Sequence, residues 1–250
     1  MILNENERID YVNDSLSLIQ INDGLTFGTD ALLLAGYIDR KYKRGIELGS
    51  GTGIISMLLL TREKVENTLC LEVQEEYALL SDRNAELNNL KDRLKVVHTD
   101  IREYKIDAEC ELVYTNPPYM KTTSGKGNCS SKKNIARHEL NGDIKDFLHS
   151  GERMLKYGGT FAVVYRPDRL EDLMWSMRES HIEPKRMTFV HADTDSEPSM
   201  VLVEGKKGGR CGMKLTCPLI IYKDKKHDEY SDDMKFIMEN GRFPDKFKNS

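Results

Sequence analysis

Four consecutive residues near the middle of the chain, Asn116-Pro117-Pro118-Tyr119, have the composition of a rigid hydrogen-bond acceptor. Each proline fixes the backbone dihedral angle φ and removes one N–H donor, so the segment presents carbonyl oxygens on a stiff loop. The side-chain oxygen of Asn116 and the carbonyl of Pro117 can then each accept one hydrogen bond from the same planar amino group. Tyr119 adds an aromatic face on which a flipped base can stack. A purely structural turn is the alternative for these four residues taken alone.

An amino group held in this way directs the developing lone pair of its nitrogen at an electrophilic methyl group. Such a transfer needs no strong base, because alignment for in-line displacement and electrostatic fit to the spreading positive charge supply most of the rate. The leaving proton can pass to solvent, so the nearby His138 needs no role as a base. The four residues therefore indicate methyl transfer to nitrogen.

A glycine-rich turn lies upstream, in the segment Gly45-Ile46-Glu47-Leu48-Gly49-Ser50-Gly51-Thr52-Gly53. An apolar strand enters this turn, and an apolar segment of helix length follows it. Glycine lets the backbone turn tightly and approach a ligand where a Cβ atom would clash. The spacing lacks the extra residue of the dinucleotide fingerprint, so a structural turn remains open for this segment alone.

Two carboxylates end the next two predicted strands. Glu72 lies at about the offset at which nucleotide-binding folds hold ribose hydroxyls with an acid. Asp100 follows the third strand, where it can accept a hydrogen bond from an adenine amino group. A solvated strand end is the alternative for either acid. With the glycine turn, they indicate a cofactor that contains a nucleoside.

The elements that must position these residues follow an alternating pattern. Strand-length apolar runs alternate with helix-length amphipathic segments, which is typical of parallel strands joined by crossover helices. The expected strands are Gly45–Leu48, Thr68–Val73, Leu94–Thr99, Glu111–Tyr114, Thr160–Tyr165, Met187–His191 and Met200–Glu204, and the expected helices are Gly53–Thr61, Glu75–Asn88, Gly142–Leu155 and Pro167–Ser180. The last two strands have no helix between them. We therefore predict an α/β fold of the Rossmann-like class I type, with a mostly parallel seven-stranded sheet, an antiparallel final strand and helices on both faces.

The two ends of the chain are expected to flank this domain. Residues 1–44 are predicted to form an extension or lid, in which a hairpin pairs Leu16–Gln20 with Gly24–Phe27 and a helix follows at Thr29–Tyr37. Residues 45–222 then form the main domain, and residues 223–250 form a tail or a docked helix around Met234–Met238. Trp175 lies in an amphipathic helix, where a core or interface position is favoured over a stacking role.

Composition limits the class of protein. The 250 residues, 39% of them hydrophobic, suffice for one large domain with a substantial core. The sequence shows neither a signal segment nor an apolar run long enough to span a bilayer, so a cytoplasmic protein is expected. The five cysteines are scattered without the spacing of a metal site, so we expect reduced thiols and no metal. A monomer is favoured.

Charge is distributed unevenly along the chain. The net charge of −4 argues against binding nucleic acid by bulk charge alone, yet two segments, Lys121–Arg137 and Gly205–Lys214, contain basic residues and no acid. Either could contact phosphates or simply form a solvated surface. The first begins just after the Asn-Pro-Pro-Tyr motif, so its basic residues could hold phosphates around a flipped base; they are Lys121, Lys126, Lys132, Lys133 and Arg137.

This combination resembles the class I methyltransferases that use an (Asn/Asp)-Pro-Pro-(Tyr/Phe) motif to methylate planar amino nitrogens. The core from Gly45 to Tyr165 matches that plan. The likeness is strongest to the bacterial tRNA1(Val) adenine N6-methyltransferases, and it extends to Tyr222. It includes two further segments, Phe27-Gly28-Thr29-Asp30-Ala31-Leu32-Leu33-Leu34-Ala35 and Met200-Val201-Leu202-Val203-Glu204-Gly205-Lys206-Lys207-Gly208.

The resemblance implies S-adenosylmethionine as cofactor and, as substrate, an adenine in structured RNA, namely the adenosine 3′ of the anticodon of valine tRNA. It places Thr29 and Asp30 at the methionine end of the cofactor and Glu72 on its ribose. The expected cofactor-binding residues are Thr29, Asp30, Glu47, Gly49, Gly51, Gly53, Glu72, Asp100 and Asn116, and the expected catalytic residues are Asn116, Pro117 and Tyr119.

Three other functions remain open. Methylation of a protein glutamine amide uses the same two acceptors, but such enzymes carry a separate N-terminal helical domain, for which the residues before Gly45 leave no space. Guanine-N2 methylation of ribosomal RNA is a second alternative, although those enzymes commonly carry a duplicated domain that this length excludes. The third is an inactive RNA-binding subunit with a methyltransferase fold, against which the intact Asn116, Glu72 and turn glycines argue.

Overall fold

The computed structural model describes residues 3–22, 24, 27–106, 108–118 and 142–248, and all structural statements below refer to these residues. The strands are β1 (Glu7–Asn13), β2 (Leu16–Ile21), β3 (Tyr42–Leu48), β4 (Val65–Glu72), β5 (Leu94–His98), β6 (Cys110–Thr115), β7 (Leu155–Tyr165), β8 (Ile182–His191), β9 (Pro198–Lys207), β10 (Lys214–Leu215) and β11 (Leu219–Ile220). The helices are α1 (Thr29–Tyr37), α2 (Ile54–Thr61), α3 (Glu75–Leu87), α4 (Ile144–Met154), α5 (Leu170–Glu179) and α6 (Asp232–Asn240). Short 3-10 helices cover Pro167–Arg169 and Asp245–Phe247.

One large sheet organises the molecule. Its strand order is β10-β8-β9-β7-β6-β3-β4-β5, with β11 also paired to β8. Strands β7, β6, β3, β4 and β5 pair in parallel, whereas β9 is antiparallel to both β7 and β8. The α/β prediction, the seven strands and the antiparallel closing strand are therefore confirmed. Two further strands, β10 and β11, bring the sheet to nine, and each is too short to leave a periodic signal in the sequence.

Helices cover both faces of this sheet, as predicted. Apolar residues of α1 and α2 form one buried cluster, and those of α4 and α5 form another. Side chains alternate between the faces along a strand. In β6, accordingly, Leu112 and Tyr114 belong to the first cluster and Val113 to the second. The strands that lead to the predicted site are therefore buried on both sides.

The N-terminal hairpin pairs β2 with a strand that the sequence did not predict. Leu16–Gln20 does form a strand within β2, and its antiparallel partner is β1, which precedes it in the chain. The predicted partner, Gly24–Phe27, includes Leu25 and Thr26, which lie outside the described residues. The connection bends at Asn13, whose side-chain oxygen accepts hydrogen bonds from the Ser15 backbone N–H and hydroxyl. β1 was missed because its side chains are intermediate or exposed throughout, so its sequence lacks a buried apolar face.

The C-terminal segment packs against α1. Ser231 caps α6 by accepting a hydrogen bond from the backbone of Met234, and the helix ends at Gly241 in a left-handed conformation. Beyond it, Phe243 and Phe247 are fully buried, and Phe243 lies edge-on to Tyr37 of α1. Trp175, in contrast, is 67% exposed, so it does not lie in the core, and the interface position that the sequence also favoured stays a prediction.

Candidate active site

Parallel pairing brings the predicted site residues to one edge of the sheet. Glu47 in β3 is in register with Cys70 in β4 and with Tyr114 in β6. The three strands consequently end at the same level, and the segments that follow them meet there. Glu72 is the last residue of β4, and the glycine turn and Asn116 directly follow β3 and β6. The carboxyl edge of parallel strands is where α/β folds bind ligands.

The glycine turn requires glycine for conformational reasons. Gly49, Gly51 and Gly53 have φ values of +65°, +52° and +80°, which strongly favour glycine. A Cβ atom at Gly53 would lie 2.4 Å from the Ser81 hydroxyl, so this position also allows α2 and α3 to pack closely. A Cβ atom at Gly51 would meet no described atom within 4 Å. The turn is thus packed on one side and open on the other.

Glu72 connects this turn to the end of β4. Its carboxylate is only 3% exposed, and its two oxygens accept hydrogen bonds from the backbone N–H groups of Gly51 (2.8 Å) and Gln74 (2.9 Å). A carboxylate oxygen has two lone pairs, so each can still accept a hydroxyl donor. The position is suited to binding a ribose beside the open side of the turn.

Glu47 is more deeply buried than Glu72. It is 1% exposed, and one of its carboxylate oxygens accepts hydrogen bonds from the Ser56 N–H (3.1 Å) and hydroxyl (2.5 Å). The Ser56 hydroxyl is in turn 2.6 Å from the Tyr114 hydroxyl. Burial raises the pKa of Glu47 to about 8 because the charged form is desolvated. The Glu47 side chain therefore supports the first turn of α2 from within the core, and cofactor contact by Glu47 stays a prediction.

Asn116 is held at the end of β6 by contacts on both sides. The hydroxyl of the preceding Thr115 donates to the Leu48 carbonyl at 2.8 Å, which ties the ends of β6 and β3 together. The Asn116 side-chain amide donates to Asp30 at 2.7 Å. Asp30 lies in the first turn of α1, next to Thr29. The structure thus brings Asp30 into contact with the motif, 86 residues away in sequence, whereas cofactor contact by Thr29 stays a prediction.

Asp100 is already engaged by a neighbour. Its carboxylate accepts hydrogen bonds from the backbone and the guanidinium of Arg102, the closest at 2.5 Å, and these contacts hold its pKa below the usual range. An adenine amino group at this position would meet Asp100 together with Arg102. The role of Asp100 in cofactor binding stays a prediction.

Sequence reasoning missed Asn84, which is fully buried in α3. Its side-chain oxygen accepts a hydrogen bond from the Ile19 N–H (2.7 Å), and its amide donates to the carbonyls of Ile19 (3.2 Å) and Thr52 (3.1 Å). Asn84 therefore connects the N-terminal hairpin to the glycine turn. The available signal was two asparagines four residues apart, Asn84 and Asn88, on one face of a helix.

Several predicted residues lie outside the described part of the chain. Pro117 is buried and Pro118 exposed at the end of the described segment. The residues beyond it for which the sequence predicted roles are Tyr119, Lys121, Lys126, Lys132, Lys133 and Arg137.

Comparison with known families identifies the chain. The methyltransferase small domain model matches residues 21–174, well over half of the sequence, and the match includes the glycine turn, Glu72 and Asn116. The chain belongs to the methyltransferase small domain family.

Two curated relatives of this methyltransferase are each described as a tRNA1(Val) (adenine(37)-N6)-methyltransferase. The relative from Parabacteroides distasonis is 28% identical over 71% of this chain and 75% of its own length. The relative from Phocaeicola vulgatus is 29% identical over 72% of this chain and 76% of its own length.

Solved structures show that the methyltransferase has a class I fold. A protein described as a predicted O-methyltransferase from Agrobacterium tumefaciens superposes with a TM-score of 0.69 at 20% identity, covering 86% of this chain and 98% of that one. The geranyl diphosphate C-methyltransferase from Streptomyces coelicolor, solved with S-adenosyl-L-homocysteine, superposes with a TM-score of 0.54 at 12% identity, covering 71% and 79%. At these identities the likeness concerns the fold alone.

The described residues of the methyltransferase contain neither a helix that could span a membrane nor a group of side chains that could hold a metal ion. None of its helices there combines the length and apolar character needed to cross a membrane. Within the same residues, no three His, Cys, Asp or Glu side chains are grouped so that they could hold a metal ion.

Proposed function

We propose that this methyltransferase transfers a methyl group from S-adenosylmethionine to N6 of an adenine in tRNA, the adenosine 3′ of the anticodon of valine tRNA. The observation that carries the proposal is the position of Asn116. It directly follows β6, at the sheet edge that also holds the glycine turn and Glu72. The names of the curated relatives support this choice of substrate.

The glycine turn and its surroundings fit the cofactor. A side chain at Gly51 would occupy the open space beside the turn, as expected where a ligand approaches the backbone closely. Glu72 is placed to accept the ribose hydroxyls. Helix α2 begins at the same turn, and Gly53 gives it no side-chain cap. The Ser56 N–H in its first turn already donates to Glu47, so the remaining N–H groups of that turn and the helix dipole suit the carboxylate of a bound methionine moiety. When bound, S-adenosylmethionine supplies an electrophilic methyl group on a sulfonium.

The chain's own residues then orient the nucleophile. The Asn116 side-chain oxygen and the Pro117 carbonyl each accept one N–H bond from the adenine amino group, which keeps the nitrogen lone pair directed at the methyl carbon. As the N–C bond forms, positive charge develops on the nitrogen, and the two oxygens stabilise it. The excess proton leaves to solvent after transfer. No general base on the protein is needed.

The parts that contact RNA are proposed on sequence grounds. Tyr119 stacks on the flipped adenine, and the basic segment Lys121–Arg137 contacts phosphates around it. A tRNA substrate also implies that the protein works in the cytoplasm.

Transfer of tritium from labelled S-adenosylmethionine to total tRNA tests the proposal, with tRNA taken from a strain that lacks the gene. Wild-type protein is expected to place label in N6-methyladenosine, as resolved by nucleoside digestion and chromatography. Asn116→Ala is expected to lower transfer by about 10²–10³-fold, because one of the two charge-stabilising acceptors is removed. Its affinity for S-adenosylhomocysteine, measured by calorimetry, should stay within a factor of about three.

Asn67→Ala is the matched control, because Asn67 is an exposed asparagine of β4. It is expected to turn over like wild type. Wild-type turnover by Asn116→Ala would reject the role given to Asn116. Label recovered in N2-methylguanosine of ribosomal RNA or in protein glutamine, with none in tRNA, would retain the methyltransferase and reject its proposed substrate.

A further inference from the structure

The side chains of Asp30 and Asn116 form a direct hydrogen bond at the carboxyl edge of the sheet. The Asn116 amide nitrogen donates to one Asp30 oxygen at 2.7 Å. The other Asp30 oxygen accepts a hydrogen bond from the backbone N–H of Ala31 at 2.9 Å. The carboxylate therefore bridges the first turn of α1 and the motif residue.

This contact determines which end of the Asn116 amide faces Asp30. A carboxylate offers only acceptors, whereas a carboxamide has a donor end and an acceptor end. Only the orientation with the NH2 group toward Asp30 forms the bond, because the flipped orientation would set two oxygens against each other. The Asn116 oxygen is consequently directed away from Asp30. Hydrogen bonding to a carboxylate also polarises the amide, which makes its oxygen a stronger acceptor.

Both partners are held rigidly. Helix α1 packs on the core through Ala31, Leu33 and Leu34, which are at most 3% exposed. A Cβ atom at position 28 would lie 2.7 Å from the Asp30 carboxylate, so Gly28 leaves room for this rotamer. The bond from Thr115 to Leu48 holds the other side. The pair is therefore positioned by the fold itself.

We propose that Asp30 is a positioning residue for methyl transfer, which fixes and polarises the Asn116 amide so that its oxygen receives the substrate amino group. This role goes beyond the place beside the cofactor that the sequence suggested for Asp30. It rests on the proposed function, because it concerns how Asn116 holds its substrate.

Exchange of the two side-chain types tests the proposal. Asp30→Asn removes the carboxylate that selects the amide orientation, and it is expected to lower kcat by about 10–100-fold, with little change in KM for tRNA. Asn116→Asp sets two carboxylates against each other and should lower kcat further. In the double variant D30N/N116D, the amide at position 30 again donates to an oxygen at position 116, and the second oxygen still faces the substrate. Its kcat is therefore expected to exceed that of either single variant by about tenfold or more.

Affinity for S-adenosylhomocysteine is measured for every variant by calorimetry, and folding is checked by thermal unfolding. The matched control is Asp232→Asn, which removes an acid of the same kind from the first turn of α6, where its side chain is 93% exposed. It should leave kcat and KM unchanged.

Two results would overturn the proposal. One is a double variant whose kcat does not exceed that of the single variant with the lower kcat. The other is an Asp30→Asn variant that loses cofactor affinity while kcat at saturating cofactor is unchanged, since Asp30 would then serve the cofactor alone. If wild-type protein instead methylates another amino group, the proposed substrate fails, but the same rescue measured on that substrate still decides the role of Asp30.

Discussion

Single residues in this site differ in chemistry because their partners differ. Glu72 and Glu47 are both buried carboxylates, yet Glu72 receives two backbone N–H groups at the open glycine turn, whereas Glu47 is enclosed beside Ser56, Cys70 and Tyr114. Hydrogen bonds to Glu47 only partly offset its desolvation, so its pKa rises to about 8. Glu72 is the acid that we propose to bind the ribose, whereas Glu47 makes the stability of the fold depend on pH.

Glu47→Gln should change how stability depends on pH. The pKa of Glu47 is about 8 in the fold, against an ordinary value of 4.5, so between these values the native state binds more protons than the unfolded state. Its contribution to the free energy of unfolding therefore falls as pH rises from about 4.5 to about 8 and is constant above that range. The glutamine variant lacks this loss. The difference between its urea midpoint and that of wild type should therefore increase as pH rises from about 4.5 to about 8.

The control for this comparison is Glu66→Gln, which replaces an exposed acid of β4. Its midpoint should differ from that of wild type by a constant amount at every pH. A constant difference for Glu47→Gln as well would show that Glu47 does not titrate between the two values.

At the scale of elements, the N-terminal hairpin is attached to the glycine turn by side chains of α3. One edge of β2 pairs with β1, and its other edge meets Asn84 and Asn88, which bond to the backbone of Ile19 and Ser17. The two asparagines thus satisfy backbone groups that a neighbouring strand would otherwise pair. The hairpin, α3 and the glycine turn are consequently held together by hydrogen bonds.

Asn84→Ala is expected to lower the free energy of unfolding by about 2–4 kcal/mol, because it leaves buried backbone groups of Ile19 and Thr52 without partners. Affinity for S-adenosylhomocysteine should also fall, since Thr52 belongs to the glycine turn. Asn88→Ala is the matched comparison, because Asn88 is only partly buried and bonds to Ser17 rather than to the turn. It should cost less stability and leave affinity unchanged. Urea unfolding and calorimetry measure both effects, and equal losses of affinity would contradict this role of Asn84.

At the scale of the whole molecule, the C-terminal segment supports the helix that carries Asp30. Arg186 is 1% exposed and lies 3.9 Å from the ring centre of Tyr37 in α1. Its guanidinium donates to the carbonyls of Tyr37 (2.6 Å) and Phe247 (3.2 Å) and forms an ion pair with Glu204 at 3.0 Å. β8, β9, α1 and the last described residues therefore share one buried cluster, and we expect them to unfold together.

Phe247→Ala should destabilise the whole fold by about 3–5 kcal/mol, because it opens a cavity where the ring is fully buried. The urea unfolding curve should shift as a single transition. Met238→Ala in α6 is the control, because Met238 is 48% exposed and its loss should cost less than about 0.5 kcal/mol. An unchanged midpoint for Phe247→Ala would mean that the tail is not packed in solution.

Much of the fold could be predicted because its main strands are contiguous apolar runs. The strands from β3 to β9 and the helices between them were predicted to within about five residues at each end, since most of these strands are buried on both faces, which leaves a strong local signal. Strand β1, the partner of β2, was not predicted because its side chains are intermediate or exposed throughout. The strands β10 and β11 were missed for a different reason, because two residues are too few to leave a periodic pattern.

The sequence by itself determined the order of the elements and the chemistry available at their ends. Asn116 follows an apolar strand and the glycines follow another, and both facts are local in the chain. Only the tertiary structure decided that Asp30 contacts Asn116, that Asn84 supports the glycine turn, and that Glu47 is enclosed. The physical reason is the distance along the chain over which each kind of interaction acts. Periodicity and turn propensity act over a few residues, whereas contacts between distant side chains depend on strand register and on the packing of helices against the sheet.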